Sequence, residues 1–280
     1  MGRLAPAEVL QWGVPRLRDL PWRHTRDPWA ILVSEVMLQQ TQAVRVVPKW
    51  QEFIAEFPSP EACADASLGD VLRLWQGLGY PRRARDLHAA ATEVASSGAF
   101  PSTLEALLRL PGVGAYTARA VMAFAFEADA AVVDTNIARV LARVSGARLT
   151  PKQAQAAADA ALPRGESWAW NQCLMDLGAV LCRPTSPQCV ACPLRSCCAW
   201  QGNGDDPAIG SAGVSGRQSR FDGSDRQARG RLMKALVARP VSTEGLAEVM
   251  GCDADRATRL ADDLQREGLL VAMRNAVRLP

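Results

Sequence analysis

Four cysteines crowd into one short segment of the chain. Their spacing is Cys182-x6-Cys189-x2-Cys192-x5-Cys198, directly after a predicted helix. Four thiols this close can surround one metal centre, either a zinc ion or an iron–sulfur cluster. Zinc sites more often come as two separated CxxC pairs, so the spacing favours a cluster. Cys197 lies beside Cys198, and spacing alone leaves the fourth ligand open between them.

A glycine turn, Leu110-Pro-Gly-Val-Gly114, lies between two predicted helices. Gly112 and Gly114 would leave backbone N–H groups uncovered at the start of the second helix. A phosphate can approach such a helix N-terminus closely. An ordinary helical hairpin with a glycine turn is the alternative interpretation.

Glu35 lies within the apolar stretch WAILVSEVMLQQT. An unpaired carboxylate is costly in such surroundings, and loss of water would raise its pKa towards the range that a general acid requires. The alternative places Glu35 on a narrow solvated stripe of the helix with Ser34.

Asp134 follows an apolar run and opens the predicted helix Thr135-Asn-Ile-Ala-Arg-Val-Leu. Taken alone, it is an N-cap residue. The cap position would also hold the carboxylate rigidly, and helix N–H groups would favour its ionised form. A protonated glutamate and an ionised aspartate form the pair that cleavage of a glycosidic bond needs.

Helical periodicity dominates the first two hundred residues, and this predicts an all-α class there. Residues 201–218 are rich in Gly, Asp and Ser, which predicts a flexible linker. Beyond them, three predicted helices are followed by a short alternating hairpin from Leu269 to Pro280. We therefore expect a small winged-helix-like α+β unit over 219–280.

Composition narrows the function classes. The net charge is only +3, yet of 32 basic residues only Lys49, Lys152 and Lys234 are lysines. The arginine fork suits bidentate phosphate contacts, although a GC-rich genome would produce the same bias. The chain has only two histidines, which argues against a histidine-based catalytic triad or metal site. No membrane span or signal peptide is evident, so we expect a cytoplasmic protein.

These features follow one another in an order that resembles the MutY branch of the helix-hairpin-helix superfamily, which also contains endonuclease III. The resemblance covers about Leu20 to Trp200. Its motifs are LPWR (from Leu20), SEVMLQQTQ (from Ser34), GLGY followed by RAR (from Gly77), LPGVGAYTA (from Leu110), VDTN (from Val133) and the cysteine loop.

The resemblance implies two helical domains with the active site in the cleft between them. A six-helix barrel carrying the helix-hairpin-helix would occupy 21–134. An iron–sulfur domain would be built from 1–20 and 135–200. Proteins of this branch commonly carry a Nudix-like C-terminal domain that helps to recognise 8-oxoguanine, and residues 219–280 are too few and differently patterned.

By the resemblance, Glu35 and Asp134 match the catalytic pair, and Tyr116 and Asn136 match supporting active-site residues. The implied substrate is double-stranded DNA in which adenine is mispaired with 8-oxoguanine or guanine. Adenine would flip out of the duplex. Glu35 would protonate N7 of adenine, and Asp134 would stabilise the oxocarbenium-like sugar before water attacks. Tyr116 lies where relatives that cut the strand place a lysine, so we expect a monofunctional enzyme. We also expect the enzyme to be monomeric.

Further residues are carried over in the same way. Gln40 and Tyr80 match residues that wedge into the duplex. The hairpin resembles one whose carbonyls hold a monovalent cation. Cys182, Cys189, Cys192 and Cys198 match the [4Fe–4S] ligands, which selects Cys198 over Cys197. Expected DNA contacts come from the hairpin glycines and from three arginines: Gly112, Gly114, Arg23, Arg183 and Arg195.

Two alternatives remain open. One is a mismatch glycosylase for thymine or uracil opposite guanine, since such relatives share Tyr116 and the cysteine loop. The other is a catalytically silent iron–sulfur protein that binds DNA. The presence of both Glu35 and Asp134 argues against this second alternative. The predicted helix Asp253 to Arg266 carries four aspartates against three arginines, which favours packing over DNA reading.

Overall fold

The computed structural model describes residues 4–214 and 220–280, which are mostly α-helical. They fall into two compact units. The cysteine unit comprises Met1–Ile31, Ser102–Leu108 and Val113–Arg217, and the Glu35 unit comprises Leu32–Pro101, Arg109–Gly112 and Gln218–Pro280. Within the described ranges, no helix has both the length and the apolar character needed to cross a membrane.

Helices of the cysteine unit pack around one apolar core that includes Val9, Ile137, Trp170 and Leu177. Two helix starts are well capped: Asp134 caps α9, and Thr150 and Gln153 form a capping box at α10. The helices are α1 (Pro6–Gly13), the first residues of α2 (Pro28–Leu38), α7 (Leu104–Arg109), α8 (Ala115–Phe124), α9 (Thr135–Ser145), α10 (Pro151–Ala161) and α11 (Ser167–Val180).

The helices of the Glu35 unit surround an aromatic cluster. The Phe53 ring meets those of Phe57 and Trp75 edge-on, at centroid distances of 5.1 and 6.2 Å. Such contacts add to the stabilisation that burial provides. The helices are the remainder of α2, α3 (Ala43–Glu56), α4 (Pro60–Asp65), α5 (Leu68–Leu74) and α6 (Arg82–Ser97).

The same unit contains a C-terminal module, residues 220–280. Its elements follow the order helix, strand, helix, helix, strand, strand. The sheet is antiparallel with the order β1-β3-β2, and Val241 pairs with Val277. The elements are α12 (Asp225–Ala238), β1 (Val241–Ser242), α13 (Leu246–Met250), α14 (Ala254–Arg266), β2 (Val271–Ala272) and β3 (Ala276–Arg278).

Helical periodicity in the sequence predicts helices from Pro48 to Phe57 and from Ser242 to Met250, and both predicted starts were wrong. The helix that was expected to begin at Pro48 begins five residues earlier and continues through the proline. Its buried face, with Val46, Trp50 and Phe53, provides packing that outweighs the roughly 3 kcal/mol cost of an interior proline. Short helices α1 and α4 were not predicted, and Ser242 lies in a strand where a helix was expected.

The predicted linker, 201–218, is described only as far as residue 214. That part packs against the cysteine unit, since Ala208 and Ser211 are 2% and 5% exposed and the Ala212 N–H donates to the Leu149 carbonyl at 2.9 Å. A stretch poor in apolar residues is held here by hydrogen bonds and an ion pair. Ser102–Leu108 and the chain from Val113 group with the cysteine unit.

Candidate active site

Asp134 lies at the N-cap of α9 and its carboxylate accepts two hydrogen bonds. The Ile137 N–H donates to Oδ1 at 2.7 Å, and Asn136 Nδ2 donates to Oδ2 at 2.9 Å. The first bond satisfies an N–H group that the helix itself leaves without a partner. Burial raises the pKa of Asp134, and these two hydrogen bonds oppose that rise. The net effect on the pKa is a rise, so burial outweighs the two hydrogen bonds that favour the carboxylate.

Asn136 connects Asp134 to the interior of the cysteine unit. Its Oδ1 accepts a hydrogen bond from Arg139 Nη2 at 2.8 Å, and Arg139 is only 3% exposed. The Arg139 Nε donates to the carbonyl of Cys182 at 2.7 Å. A continuous chain of charged and polar groups therefore leads from the Asp134 carboxylate to the first residue of the cysteine loop.

A glycine allows this chain to form. Gly178 of α11 lies against Asn136, and a Cβ at position 178 would lie 2.6 Å from the Asn136 Cβ and 3.0 Å from its Cα. Its carbonyl also accepts a hydrogen bond from Arg139 Nη2 at 2.8 Å. Only glycine permits the two helices to approach this closely.

The four predicted ligands line one pocket of the cysteine unit. Cys182, Cys189, Cys192 and Cys198 share its walls with apolar side chains from α9 and α11. Cys197 is not among the lining residues, and its Sγ points instead to the Leu194 carbonyl at 3.3 Å. Among the residues that the structure describes, no three Cys, His or acidic side chains are gathered as ligands of a single metal ion.

Arg143 closes one wall of this pocket. It is 1% exposed, and its Nη1 lies 3.3 Å from the Cys182 Sγ. The guanidinium pairs with Asp206 at 2.6 Å and stacks 4.5 Å from the Trp200 ring centroid. Asp206 comes from the predicted linker, so that segment holds a residue of the pocket wall in place, and its first residue, Gln201, lines the pocket. No signal in the sequence pointed to the pair of Arg143 and Asp206.

The glycine hairpin precedes α8. Gly112 has a φ of +72°, and a Cβ there would lie 2.7 Å from that of Asp86, so both conformation and space require glycine. Gly114, the N-cap of α8, has an extended backbone, and a Cβ there would meet no atom within 4 Å. Neither strain nor crowding inside the protein explains Gly114, which leaves the helix N-terminus open to an approaching group. Tyr116 lies half-buried in the first turn of α8.

Glu35 belongs to the other unit, in the middle of α2. Glu35 is 4% exposed. Its neighbours in the helix are also buried: Val33, Ser34, Val36 and Met37. The burial of Glu35 agrees with the apolar environment that was expected for it. The alternative, a solvated stripe shared with Ser34, does not fit, because Ser34 is also fully buried.

Gln40 and Tyr80, the expected wedge residues, share an unusual backbone. Both are exposed and have positive φ angles, 56° and 49°. They are two of five non-glycine residues with this conformation in the described residues. A non-glycine residue with positive φ carries strain, which concentrates at functional positions.

Arg83 joins the two loops that carry these residues. Its Nη1 donates to the carbonyls of Met37 and Gln39 at 2.9 and 2.7 Å, and its Nη2 to those of Leu78 and Gly79 at 3.1 Å each. Burial lowers the pKa of Arg83 to about 10, which leaves it charged at neutral pH. The sequence showed Arg83 only as part of a motif, and its role as a link between the loops was missed.

The three arginines expected to contact DNA lie in different settings. Arg23 is 6% exposed and donates to both oxygens of Asp176, at 2.8 and 2.9 Å. This corrects the expectation for Arg23, because a guanidinium buried in an ion pair cannot reach a phosphate. Arg183 is half-buried and donates to the Ser186 carbonyl at 3.0 Å, whereas Arg195 is exposed.

Comparison with known proteins agrees with this arrangement. A family model described as HhH-GPD superfamily base excision DNA repair protein matches residues 33–164. The adenine DNA glycosylases of Mycobacterium tuberculosis and Mycolicibacterium smegmatis are 42% and 41% identical to this chain. Each alignment covers 95% of this chain, with 90% and 92% of those proteins. The human adenine DNA glycosylase is 39% identical over 74% of this chain and 41% of its own length.

Solved structures give the same fold. A thermostable thymine-DNA glycosylase matches with a TM-score of 0.67 and 33% identity, over 70% of this chain and 94% of that one. An endonuclease III–DNA complex matches with a TM-score of 0.62 and 23% identity, over 70% and 92%, which supports the fold alone. Since relatives aligned over nearly the whole chain are adenine DNA glycosylases, the chain belongs to the MutY-type adenine DNA glycosylases, base-excision-repair enzymes of the helix-hairpin-helix superfamily.

Proposed function

We propose that this enzyme hydrolyses the N-glycosidic bond of adenine mispaired with 8-oxoguanine or guanine. The observation that carries the proposal is the contrast between two carboxyl groups. Glu35 is buried in an apolar helix, whereas the Asp134 carboxylate accepts hydrogen bonds from the Ile137 N–H and from Asn136. An acid and an anion kept apart by environment suit a reaction with an oxocarbenium-like transition state.

In the proposed reaction the mispaired adenine leaves the base stack first, because its glycosidic bond is inaccessible within the duplex. The Glu35 carboxyl donates its proton to N7 of adenine. The bond between C1′ and N9 breaks, and its electron pair leaves with the base. The Asp134 carboxylate stabilises the positive charge on the sugar. Water then adds to C1′ and loses a proton, which leaves an abasic site.

The cysteine pocket fits an iron–sulfur cluster by the chemistry of its donors. Four thiols line it, and the Arg143 guanidinium lies within hydrogen-bond distance of the Cys182 Sγ, where it would stabilise a thiolate. Burial raises the pKa of Cys192 to about 11, so metal binding must displace its proton. When bound, a [4Fe–4S] cluster would tie the loop together through iron–thiolate bonds. Cys182, Cys189, Cys192 and Cys198 would hold it.

We assign DNA contacts to three features. The open helix start at Gly114 would accept a backbone phosphate, with hairpin carbonyls available for a monovalent cation. Gln40 and Tyr80 would wedge into the duplex beside the flipped base. Exposed Arg195, with Arg183, would contact phosphates near the cysteine loop. We expect the enzyme to act as a monomer in the cytoplasm.

A base-release assay tests the substrate. Duplexes containing A:8-oxoG, A:G, T:G or U:G would be incubated with excess enzyme, and the released base measured. Release of adenine from the first two alone supports the proposal. A second candidate, thymine or uracil opposite guanine, is favoured by the match at 33% identity to a thymine-DNA glycosylase. Release of thymine or uracil faster than adenine would establish that candidate instead.

Strand cleavage gives a further test. Cleavage through a Schiff base needs an amine, and residue 116 is tyrosine, whose phenol cannot form an imine. We therefore expect borohydride to trap little enzyme on adenine-mispaired DNA, with abasic sites persisting until alkali cleaves them. Lys49→Ala serves as the comparison, because Lys49 is the lysine that follows the Glu35 helix. Efficient trapping in the wild type that is lost in Lys49→Ala would show that the active site is misassigned.

A further inference from the structure

Helix α6 begins in an electrostatically unfavourable way. It carries Arg82, Arg83 and Arg85 in its first turn, has no acidic residue there, and its N-cap, Pro81, makes no side-chain cap. The positive end of the helix dipole lies at the same place, so cations are disfavoured. Asp86 of the same helix pairs with Arg85 at 2.6 Å, and a second compensating anion comes from elsewhere in the Glu35 unit.

Glu267, which ends α14 of the C-terminal module, supplies that anion. Its carboxylate pairs with Arg82 at 2.5 Å and with Arg229 of α12, and its carbonyl accepts a hydrogen bond from Arg85 at 2.7 Å. The Glu267 side chain is only 12% exposed. The hydrogen bond from Arg82 lowers the pKa of Glu267 to about 2, despite its burial. Glu267 is therefore ionised throughout the physiological range.

The C-terminal module also contacts Tyr80, one of the two expected wedge residues, directly. Arg226 Nη1 of α12 donates to the Tyr80 Oη at 3.3 Å. Tyr80 precedes Arg82 by two residues, so both contacts hold the same short segment. A third contact lies at α5, where a Cβ at Gly69 would lie 2.5 Å from the main-chain oxygen of Pro280.

The helix in the module that would be expected to read DNA has its arginines occupied. Arg256 and Arg259 of α14 pair with Asp225, and Arg266 pairs with Asp263. The contacts of the module are directed at the start of α6 and at Tyr80. We propose that Glu267 is a positioning residue that, with Arg226, holds Tyr80 in its wedge conformation and so contributes to discrimination of the base opposite adenine. This inference rests on the proposed function.

The test is a double-mutant cycle. Glu267→Gln, Tyr80→Leu and the double variant are compared in single-turnover adenine release from A:8-oxoG and A:G duplexes, with Kd measured for each. Because a wedge stacks on bases beside the mispair, we expect Glu267→Gln to lower the ratio of the two rates about three- to tenfold. In the Tyr80→Leu background the same change should have little further effect, since the two residues act as one unit.

Asp225→Asn is the matched control. Asp225 is also a carboxylate with two arginine partners, but both partners lie within the module. It should lower the melting temperature by a similar amount and leave the rate ratio unchanged. Arg226→Gln, which removes the hydrogen bond to Tyr80 together with the stacking of Arg226 on Phe221, provides a second variant if Glu267→Gln does not fold, and it should lower the ratio in the same direction.

Three outcomes would overturn the inference. These are an unchanged ratio in both Glu267→Gln and Arg226→Gln, a full effect of Glu267→Gln in the Tyr80→Leu background, or an equal loss in Asp225→Asn. A wild-type protein that releases no adenine from either duplex would instead reject the proposed function, so the two failures are distinguishable.

Discussion

Asp134 and Tyr80 are held in opposite ways. Asp134 has an ordinary extended backbone, with φ −86° and ψ 179°, and its carboxylate is fixed by short hydrogen bonds backed by a buried arginine. Tyr80 has a φ of 49° and is 36% exposed, with Arg83 stacked 5.5 Å from its ring. In the first case the energetic cost is burial of a charge, and in the second it is a strained backbone.

The difference fits the two tasks that we propose for these residues. A group that stabilises transition-state charge must not reorganise during the reaction, so it is supported from within the core. A side chain that inserts into a duplex must project from the protein surface. It must therefore be held by contacts on its protein side. The predictions below test each half of this comparison, beginning with the largest effect.

Glu35→Gln and Asp134→Asn should each slow adenine release by at least about 1000-fold, because both carboxyl groups act in the transition state. Binding to the mispaired duplex should stay within about threefold of wild type. Single-turnover rates and gel-shift titrations measure the two quantities. Glu127→Gln, which removes an exposed carboxylate paired with Arg26, is the control and should be fully active. Substantial turnover by either active-site variant would contradict the mechanism.

Cys198→Ser should lose the cluster, whereas Cys197→Ser should keep it. The two thiols are neighbours in sequence, but only Cys198 lines the pocket. Wild-type protein and Cys197→Ser should contain about four irons per chain and absorb visible light. Iron and zinc analysis after purification without oxygen decides the matter. Stoichiometric zinc in the wild type, or iron lost only from Cys197→Ser, would be inconsistent with the assignment.

Arg83→Lys should lower the free energy of unfolding by about 3 kcal/mol, since an ammonium cannot reproduce the two-nitrogen fork that joins both wedge loops. Denaturant titration measures the loss. Arg45→Lys is the control, because exposed Arg45 donates to the Gly77 carbonyl, in one of the two loops. Its effect should stay within about 0.5 kcal/mol. Equal losses in the two variants would remove the special role of Arg83.

The pH dependence of adenine release should report on Asp134. Because burial raises the pKa of this carboxyl above the ordinary 3.8, the ionised fraction and the rate should fall as pH falls through that raised value. Asn136→Ala removes a hydrogen bond that lowers the pKa. The acidic limb should therefore move to higher pH. A limb that moves to lower pH would mean that another group titrates.

The same shift affects stability. For a group whose folded-state pKa is raised, the stabilising contribution is present at low pH and is lost as pH rises through the folded value. Ionised Asp134 therefore lowers the stability of the enzyme at neutral pH. The asparagine variant retains a good N-cap, so its melting temperature should not fall.

Much of the site could be predicted because its signals are local in sequence. The spacing of the cysteines, the glycine turn and the cap at Asp134 each depend on a few adjacent residues, and burial of Glu35 followed from its apolar neighbours. The chemical roles assigned to these residues remain predictions.

What the sequence did not reveal depends on distant partners. Arg23 was taken for a DNA contact because nothing near it in sequence shows Asp176, 153 residues away. Arg143 with Asp206 and Arg82 with Glu267 are separated by 63 and 185 residues. Helix periodicity also failed at Pro48, where tertiary packing overrides local preference. Which distant charged residues pair depends on the fold, and such pairs produce no periodic pattern in the sequence.

Gly178 gives the enzyme a weakness that is invisible at its DNA-binding surface. Alanine there would push on Asn136 and thereby move the carboxylate next to it, while every DNA contact stayed intact. A cell carrying such an allele would accumulate a protein that still occupies mispairs and releases adenine poorly. In this enzyme, a methyl group added at Gly178 is therefore expected to be more harmful than loss of a surface arginine.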